Sequence, residues 1–228
     1  MKVILFGATG MIGQGALREC LLDPTVTAVL TVGRAATGQE NPKLREIVVP
    51  DMSDLSPVES QLSGYDACFF CLGISSAGLS EPEYRRVTYD MATAAARTLV
   101  ARNPAMTFIF VSGAGADGGE RGPVMWARIK GATENAILRM PFKGAYAFRP
   151  AFIQPRHGIR SRTRMYRVLY AVFGPLFPIL KKLFPGQVST TEEIGQAMIL
   201  VARHGAPKKV LENRDINGIM TATLEETR

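Results

Sequence analysis

The fold of this chain is decided by its first residues, Val3-Ile4-Leu5-Phe6-Gly7-Ala8-Thr9-Gly10-Met11-Ile12-Gly13. Four successive apolar residues are typical of a strand that is buried on both faces. Three glycines follow at regular intervals, and the residues from Met11 onward have the pattern of a helix that ends before Pro24. The sequence therefore opens with a predicted strand, a tight glycine turn and a helix.

The chain repeats this alternation of strand and helix as far as Pro150. Strand-like apolar runs lie at Val3 to Phe6, Val26 to Val32, Glu46 to Val49, Tyr65 to Leu72, Thr107 to Ser112 and Ala145 to Phe148. Helices are predicted from Met11 to Leu22, Glu81 to Arg102, Val124 to Arg139 and Thr191 to Arg203. The alternation predicts an α/β fold, a Rossmann-type doubly wound parallel sheet. We expect a single domain over residues 1–228, in which 151–228 contributes a small C-terminal substrate lobe.

A glycine turn between a strand and a helix can bind phosphate. Gly7 permits the tight turn at the strand exit, Gly10 lets the backbone approach a phosphate, and Gly13 lets the helix pack closely on the strand. Free N–H groups and the positive end of the helix dipole then stabilise negative charge. Glycines also occur in ordinary turns, but these three follow a predicted strand, open a predicted helix and precede a crossover to the next strand. We therefore predict a site for the pyrophosphate of a dinucleotide.

The end of the second predicted strand decides which dinucleotide is bound. An acidic residue there would accept a hydrogen bond from the ribose 2′-hydroxyl of NAD. The sequence instead reads Leu30-Thr31-Val32-Gly33-Arg34. An arginine can bind a 2′-phosphate through charge-assisted hydrogen bonds, the alternative being a solvated loop residue. NADP is therefore expected, with NAD the less favoured cofactor.

Composition limits the remaining classes of function. The chain has 228 residues and a net charge of +7, which favours anionic partners without selecting among them. Cys68 and Cys71 fall in a predicted buried strand, where residues three apart face opposite ways, so a redox motif is disfavoured. His157 and His204 lack ligand-spaced partners, and no metal site is predicted. No leader can be fitted before the first strand, and we expect a cytoplasmic protein.

A resemblance to a known family adds to these predictions. The glycine turn, Arg34, and Ser112 with the later segment Trp126-Ala127-Arg128-Ile129-Lys130-Gly131-Ala132-Thr133-Glu134 together resemble the atypical short-chain dehydrogenase/reductases. The branch they resemble contains the Tat-interacting-protein-like and NmrA-like NAD(P)-binding proteins. The resemblance extends from residue 1 to about 155 and is looser beyond.

The resemblance implies roles for individual residues. Asp51-Met52 would lie against the adenine, and Cys71-Leu72-Gly73 would line the dinucleotide. Ser112 matches the active-site serine and Lys130 the lysine, while Arg149-Pro150 resembles a pair that packs near the nicotinamide. The residues expected to contact the cofactor are Gly7, Thr9, Gly10, Met11, Ile12, Gly13, Arg34, Asp51, Met52, Leu72, Gly73, Lys130 and Pro150.

One position departs from the family's pattern. The family's catalytic tyrosine precedes the lysine by one helical turn, and Trp126 stands there in this chain. An indole N–H donates a hydrogen bond but cannot supply a proton near neutral pH. Trp126 is therefore expected to form an apolar wall against substrate or nicotinamide, or to be a core residue. Ser112, Lys130 and Trp126 form the candidate catalytic set.

The missing tyrosine leaves three explanations open. Another group could supply the proton, with Tyr84 and Tyr89 as candidates; the substrate could need no strong acid; or the cofactor could bind without turnover. We expect an NADP-dependent oxidoreductase that acts on a small, rather apolar carbonyl, enone or quinone substrate. The alternative is a non-catalytic NAD(P)-binding regulatory or redox-sensing protein that signals to a protein partner. A Ser-His-Asp hydrolase and a nucleotide-sugar epimerase are disfavoured.

Residues 156–184 combine arginines with a long apolar run. The arginines are Arg156, Arg160, Arg162, Arg164 and Arg167, and the apolar run extends from Val168 to Phe184. Pro175 and Pro178 interrupt this run, which is also too short to be a convincing transmembrane helix. A lid over the substrate, a homodimer surface and a peripheral membrane contact are the alternatives. Nucleic-acid binding is not expected, because no binding module is recognisable.

Overall fold

The computed structural model describes residues 1–159, 177–184 and 186–226, with the side chains of 178–180 and 220–226 left out. Its strands are β1 (Lys2–Phe6), β2 (Ala28–Gly33), β3 (Leu44–Val48), β4 (Ala67–Phe70), β5 (Thr107–Val111), β6 (Gly144–Arg149), β7 (Phe152–Gln154), β8 (Val188–Thr190) and β9 (Val210–Glu212). Its α-helices are α1 (Met11–Leu22), α2 (Glu81–Arg85), α3 (Met91–Arg102), α4 (Met125–Leu138), α5 (Phe177–Leu183), α6 (Thr191–His204) and α7 (Asn213–Glu226). A 3₁₀ helix spans Ser56–Leu62.

Seven of the strands form one parallel sheet in the order β3-β2-β1-β4-β5-β6-β9. The order reverses between β1 and β4, so the loops that follow these two strands diverge and leave a crevice at the carboxyl edge. Ligands of doubly wound sheets bind at such a point. The predicted Rossmann-type fold is confirmed, and it places the glycine turn after β1 beside the crevice.

Alternate residues of each central strand enter different cores. Val3 and Leu5 pack with α1, α6 and α7 on one face of the sheet, whereas Ile4 and Phe6 pack with α3 and α4 on the other. The second core contains a row of phenylalanines whose rings are in contact: Phe6, Phe70, Phe108, Phe110 and Phe142. Because both faces are covered, the strands read as continuous apolar runs in the sequence.

The predicted helix from Glu81 to Arg102 is continuous but contains a wider turn. A π-helical segment, Arg86–Asp90, lies between α2 and α3. Ser80 caps the start of α2, where it exchanges hydrogen bonds with Glu83. Within the π turn, Thr88 is buried and its hydroxyl has no hydrogen-bond partner among the described residues. The apolar pattern is compatible with an unbroken helix, so the sequence did not indicate this turn.

The residues after Pro150 contribute to the seven-stranded sheet and also form a small two-stranded sheet. Strand β9 is the edge strand of the main sheet, and β7 and β8 form a separate parallel pair. Helix α6 crosses α1 at two glycines: a Cβ on Gly15 would lie 2.5 Å from Thr191 O, and one on Gly195 would lie 2.8 Å from Glu19 Cγ. Part of the segment predicted as a lobe therefore belongs to the sheet and its covering helices.

Much of the basic and apolar segment falls outside the described residues, including Arg160, Arg162, Arg164 and Arg167. Within the described ranges, no helix is long and apolar enough to cross a membrane. The lid, the homodimer surface and the peripheral membrane contact stay predictions.

Candidate cofactor-binding and active site

The glycine turn is packed so closely that side chains do not fit. Gly7 has a φ of 77°, and a Cβ added there would lie 2.6 Å from the backbone nitrogen of Leu72. A Cβ on Gly13 would lie only 2.0 Å from the carbonyl oxygen of Gly7. These contacts hold the β1–α1 turn against the end of β4 and leave its outer surface as bare backbone.

The first turn of α1 has the polarity of an anion site. Its N-cap is Gly10, which has no side chain to cap the helix, and no acidic residue lies in the first turn. The N–H groups of Met11, Ile12 and Gly13, in the first turn of the helix, have no intrahelical acceptors. Gln14 Nε2 donates to the Thr9 carbonyl oxygen at 3.0 Å and fixes the turn. This cradle fits the pyrophosphate of a dinucleotide.

The end of β2 presents Arg34 to solvent. Its guanidinium makes no hydrogen bond or ion pair with any residue in the described ranges, so it is free to bind an anion. The nearby carboxylate of Glu46 is already engaged, since Oε2 accepts hydrogen bonds from Thr31 Oγ1 at 2.9 Å and from the Thr37 N–H at 2.8 Å. Glu46 lies on the neighbouring strand β3, and its hydrogen bonds at this position were not predicted from the sequence.

Two of the predicted adenine contacts differ in exposure. Asp51 is exposed, and the hydrogen bonds that its carboxylate accepts from Ser53 Oγ and N–H hold the pKa of Asp51 below its usual range. Met52 is 4% exposed and its side chain belongs to the core shared with α3. Any contact of Met52 with a bound adenine would therefore come mainly from its backbone.

The ends of β4 and β6 line the opposite side of the crevice. Leu72 is half-buried and Gly73 is exposed directly after β4. Burial raises the pKa of the Cys71 thiol, so this cysteine is an uncharged part of the wall. Pro150, directly after β6, is buried and its carbonyl oxygen accepts from the Ala114 N–H at 3.0 Å.

Ser112 and Lys130 meet at the end of β5. Lys130 Nζ donates to the Ser112 carbonyl oxygen at 3.0 Å, and the Ser112 N–H donates to the Phe148 carbonyl oxygen at 2.8 Å. The Ser112 side chain is 6% exposed, and its Oγ has no hydrogen-bond partner among the described residues. A buried hydroxyl without a partner is costly, and a polar group of a bound ligand would satisfy it.

The environment of Lys130 favours loss of its proton. Burial lowers the pKa of Lys130 from 10.5 to about 8, while the charge of Glu134, one helical turn away, opposes this shift. The ammonium also lies 5.6 Å from the centre of the Phe110 ring. At pH values near 8, a much larger fraction of Lys130 than of an ordinary lysine is therefore the neutral amine.

A buried ion pair supports this site. The Arg149 guanidinium at the end of β6 binds both carboxylate oxygens of Glu134, and its Nη1 binds Glu212 Oε1 at 2.9 Å. The sequence predicts Arg149 near the nicotinamide, and the structure shows that its guanidinium is bound by these two carboxylates. The roles of Glu134 and Glu212 were not predicted from the sequence. Their pairing depends on tertiary structure that the sequence pattern does not specify.

Trp126 lies on α4 one turn before Lys130 and is half-buried. Its Cη2 would be 3.6 Å from a Cβ on Gly115, so the indole ring lies beside the loop that follows β5. Of the two tyrosines considered as proton donors, Tyr84 is 2% exposed on α2. The ring of Tyr89 is covered by the Arg85 guanidinium at 4.1 Å from its centre.

Solved structures with the same fold include short-chain dehydrogenases. An oxidoreductase of the short chain dehydrogenase/reductase family from Burkholderia thailandensis is 14% identical with a TM-score of 0.65, over 99% of this chain and 96% of that one. MoeE5 in complex with UDP-glucose and NAD is 17% identical with a TM-score of 0.63, over 100% of this chain and 82% of that one. At these identities the likeness concerns the fold.

Curated relatives correct the predicted location. Protein fmp52, mitochondrial, from Emericella nidulans is 28% identical over 211 residues, which are 87% of this chain and 85% of that protein. Similar proteins from other fungi carry the same name and the same mitochondrial designation. The expectation of a purely cytoplasmic protein is therefore wrong. It depended on the first residues of the chain, and these do not decide the compartment.

A family model described as NAD(P)H-binding matches residues 7–137. The match begins at the first glycine of the turn, continues through Arg34, Ser112 and Lys130, and ends in the last turn of α4. The match covers more than half of the chain. It includes the loops that follow β1 to β5 at the crevice. The chain therefore belongs to the NAD(P)H-binding family and has the fold of the short-chain dehydrogenase/reductases.

Proposed function

We propose that this protein is an NADP-dependent oxidoreductase that reduces a small carbonyl, enone or quinone substrate. The observation that carries the proposal is the pairing of Ser112 with Lys130 at the crevice. The Ser112 hydroxyl is buried without a hydrogen-bond partner among the described residues, and the carbonyl oxygen of the same residue accepts a hydrogen bond from the Lys130 ammonium, whose pKa burial lowers to about 8. This pair can bind an oxygen atom on which negative charge develops.

Arg34 supports the choice of NADP. Its guanidinium is exposed and unpaired within the described ranges, whereas the carboxylate of Glu46, on the neighbouring strand β3, accepts hydrogen bonds from Thr31 and Thr37. A 2′-phosphate would give Arg34 a charge-assisted partner. The NAD in the MoeE5 complex does not argue against this, because fold similarity at low identity does not fix cofactor preference.

Lys130 supports a route for the proton in the absence of the family's tyrosine. A bound reduced nicotinamide supplies the hydride. The Ser112 hydroxyl hydrogen-bonds the substrate oxygen, and the Lys130 ammonium gives that oxygen a proton. The carbonyl carbon thus gains the hydride and the carbonyl oxygen gains the proton. The neutral amine of Lys130 then takes up a proton from water.

The proposal is tested by following NADPH oxidation by the full-length protein with aldehydes, ketones, enones and quinones. We expect turnover with at least one class and a kcat/KM for NADPH about 10-fold or more above that for NADH, as for a gained ion pair. Ser112→Ala should lower kcat by about 10-fold or more. Ser63→Ala, an exposed serine after the 3₁₀ helix, is the matched control. Bound NADPH without any turnover would overturn the enzymatic proposal.

Trp126 favours a second candidate, a non-catalytic NAD(P)-binding regulator. The chain contains one tryptophan, and it occupies the position of the family's acid. Intrinsic fluorescence therefore reports on this single position, beside the loop after β5. For a regulator, NADPH would quench this fluorescence and no compound of the panel would be reduced, and the NADPH-loaded protein would retain a protein partner that the free protein releases.

A further inference from the structure

A small polar cavity lies beside the Ser112–Lys130 pair, at the carboxyl edge of β6 and β9. Its volume is about 220 Å³, and it is lined by Ala114, Gly186, Gln187, Glu212, Asn213 and Arg214. Ala114 is two residues beyond Ser112, so the cavity wall begins within about 7 Å of the Ser112 Cα. The cavity is therefore close enough to receive a second group of the same small substrate.

Two of the polar lining residues are committed to the fold. The Asn213 side chain accepts hydrogen bonds from the Ala151 N–H at 2.9 Å and from Ser189 Oγ at 3.1 Å, and it donates to the Gly186 carbonyl oxygen at 3.1 Å. Glu212 binds Arg149 at 2.9 Å. These side chains shape the cavity and are not free to recognise a ligand.

The other two polar residues are available. The side chains of Gln187 and Arg214 are exposed, and neither makes a hydrogen bond or ion pair with any residue in the described part of the chain. The amide and the guanidinium both belong to the lining of this cavity, and both can donate N–H hydrogen bonds to a carboxylate.

Among the described residues, one cation of the cavity lining has no carboxylate partner. Arg149 is paired with Glu134 and Glu212, and the charge of Glu134 also acts on Lys130. Asp215, next to Arg214 in the chain, is bound to Lys208 at 2.9 Å and to the Glu212 N–H at 3.1 Å. The unpaired positive charge is therefore that of Arg214, which is exposed and lines the cavity.

We propose that this cavity binds a carboxylate of the substrate through Arg214 and Gln187. The substrate class is thus narrowed to short carbonyl compounds that carry an acid group a few bonds from the reacting carbon. This inference depends on the proposed function for its reaction. A cavity of about 220 Å³ is below the usual range for sites that enclose a drug-sized ligand, so it fits one small acidic group of a substrate. Under this proposal the substrate carries an acid group, whereas the sequence predicts a rather apolar one.

The test uses a matched pair of aldehydes, 4-carboxybenzaldehyde and methyl 4-formylbenzoate, with NADPH. The wild-type protein should have the higher kcat/KM for the acid. Arg214→Gln should lower the ratio of the two kcat/KM values about 10- to 100-fold, as expected for loss of a charge-assisted bond. Arg203→Gln, an exposed arginine at the end of α6, is the matched control and should leave the ratio unchanged.

A binding measurement separates failure of this inference from failure of the proposed function. Calorimetric titration of the NADP-loaded protein with 4-carboxybenzaldehyde requires no turnover. If the acid binds the wild-type protein and binds Arg214→Gln about 10-fold or more weakly, the carboxylate site stands even without reduction. If acid and ester bind alike, or Arg214→Gln binds the acid as the wild type does, the inference is overturned.

Discussion

The Glu134 carboxylate on α4 and the Arg149 guanidinium at the end of β6 form a two-pronged ion pair, with Nε–Oε1 at 2.9 Å and Nη2–Oε2 at 2.5 Å. Glu134 is 1% exposed, and its hydrogen bonds raise the pKa of Arg149. Arg149 also binds Glu212 on β9. The pair therefore connects the helix that carries Lys130 to the edge of the sheet that borders the polar cavity.

Breaking this pair should destabilise the protein strongly. Glu134→Gln leaves Arg149 buried with one weaker carboxylate partner, and we expect the free energy of unfolding to fall by about 3–5 kcal/mol. Urea denaturation at neutral pH measures this change. Glu59→Gln removes the exposed pair with Arg102, whose Nε–Oε1 distance is also 2.9 Å, and should cost less than about 1 kcal/mol. If the free energy of unfolding fell equally in the two variants, burial would not be the reason that the Glu134–Arg149 pair matters for stability.

The sequence predicted the sheet well because its central strands are covered on both faces. Runs such as Thr107–Val111 are then continuously apolar, and the glycine turn fixes where the first helix begins. The strand β9 was not predicted, since three residues are too few for a periodic pattern to emerge. The π turn at Arg86–Asp90 was also missed, because the spacing of apolar residues around it is compatible with a regular helix.

The site could be predicted only where local sequence determines it. Ser112 and Lys130 follow from a strand end and a helical motif, and they do meet in the structure. The pairing of Glu134 with Arg149 and Glu212 could not be foreseen, because it requires the relative positions of α4, β6 and β9. Arg34 could be predicted from its position after β2. That it has no partner among the described residues could not, because this depends on the hydrogen bonds that Glu46 makes with Thr31 and Thr37.

The glycine turn should not tolerate a methyl group. A Cβ at Gly13 would lie 2.0 Å from the Gly7 carbonyl oxygen, so Gly13→Ala must displace the turn that cradles the pyrophosphate. We expect NADPH affinity to fall by about 10-fold or more and stability to fall by about 1–3 kcal/mol. Gly218→Ala in α7 meets nothing within 4 Å and should keep wild-type affinity while gaining up to about 1 kcal/mol of stability. Titration of Trp126 fluorescence measures the affinity, and an unaltered affinity in Gly13→Ala would refute the assignment of the turn.

Arg34 should discriminate between the two dinucleotides. Arg34→Gln removes the cation proposed to bind the 2′-phosphate, so affinity for NADPH should fall about 10- to 100-fold while affinity for NADH changes little. The control is Arg139→Gln, an exposed arginine at the end of α4. Parallel fluorescence titrations with both cofactors give the ratio. If Arg34→Gln weakens both cofactors equally, or neither, Arg34 is a solvated loop residue and the preference for NADP has another source.

Activity should depend on the protonation of Lys130. The Lys130 ammonium is present below its pKa, which burial lowers to about 8, and only the protonated form can give a proton to the substrate. We therefore expect kcat/KM for reduction to be constant at lower pH and to fall as the pH rises above about 8. The charge of Glu134 raises the pKa of Lys130, so Glu134→Gln should move this fall to lower pH.

Replacement of Lys130 separates proton donation from electrostatic binding. Lys130→Arg keeps a cation, but an arginine does not release its proton in the accessible pH range. The variant should therefore retain NADPH binding, lose about 10²- to 10⁴-fold in kcat and lose the alkaline fall in kcat/KM. Lys130→Arg with a wild-type rate would show that charge alone suffices and that the proton comes from elsewhere. The pH profile distinguishes these mechanisms because Ser112, the other polar group at this position, does not titrate in that range.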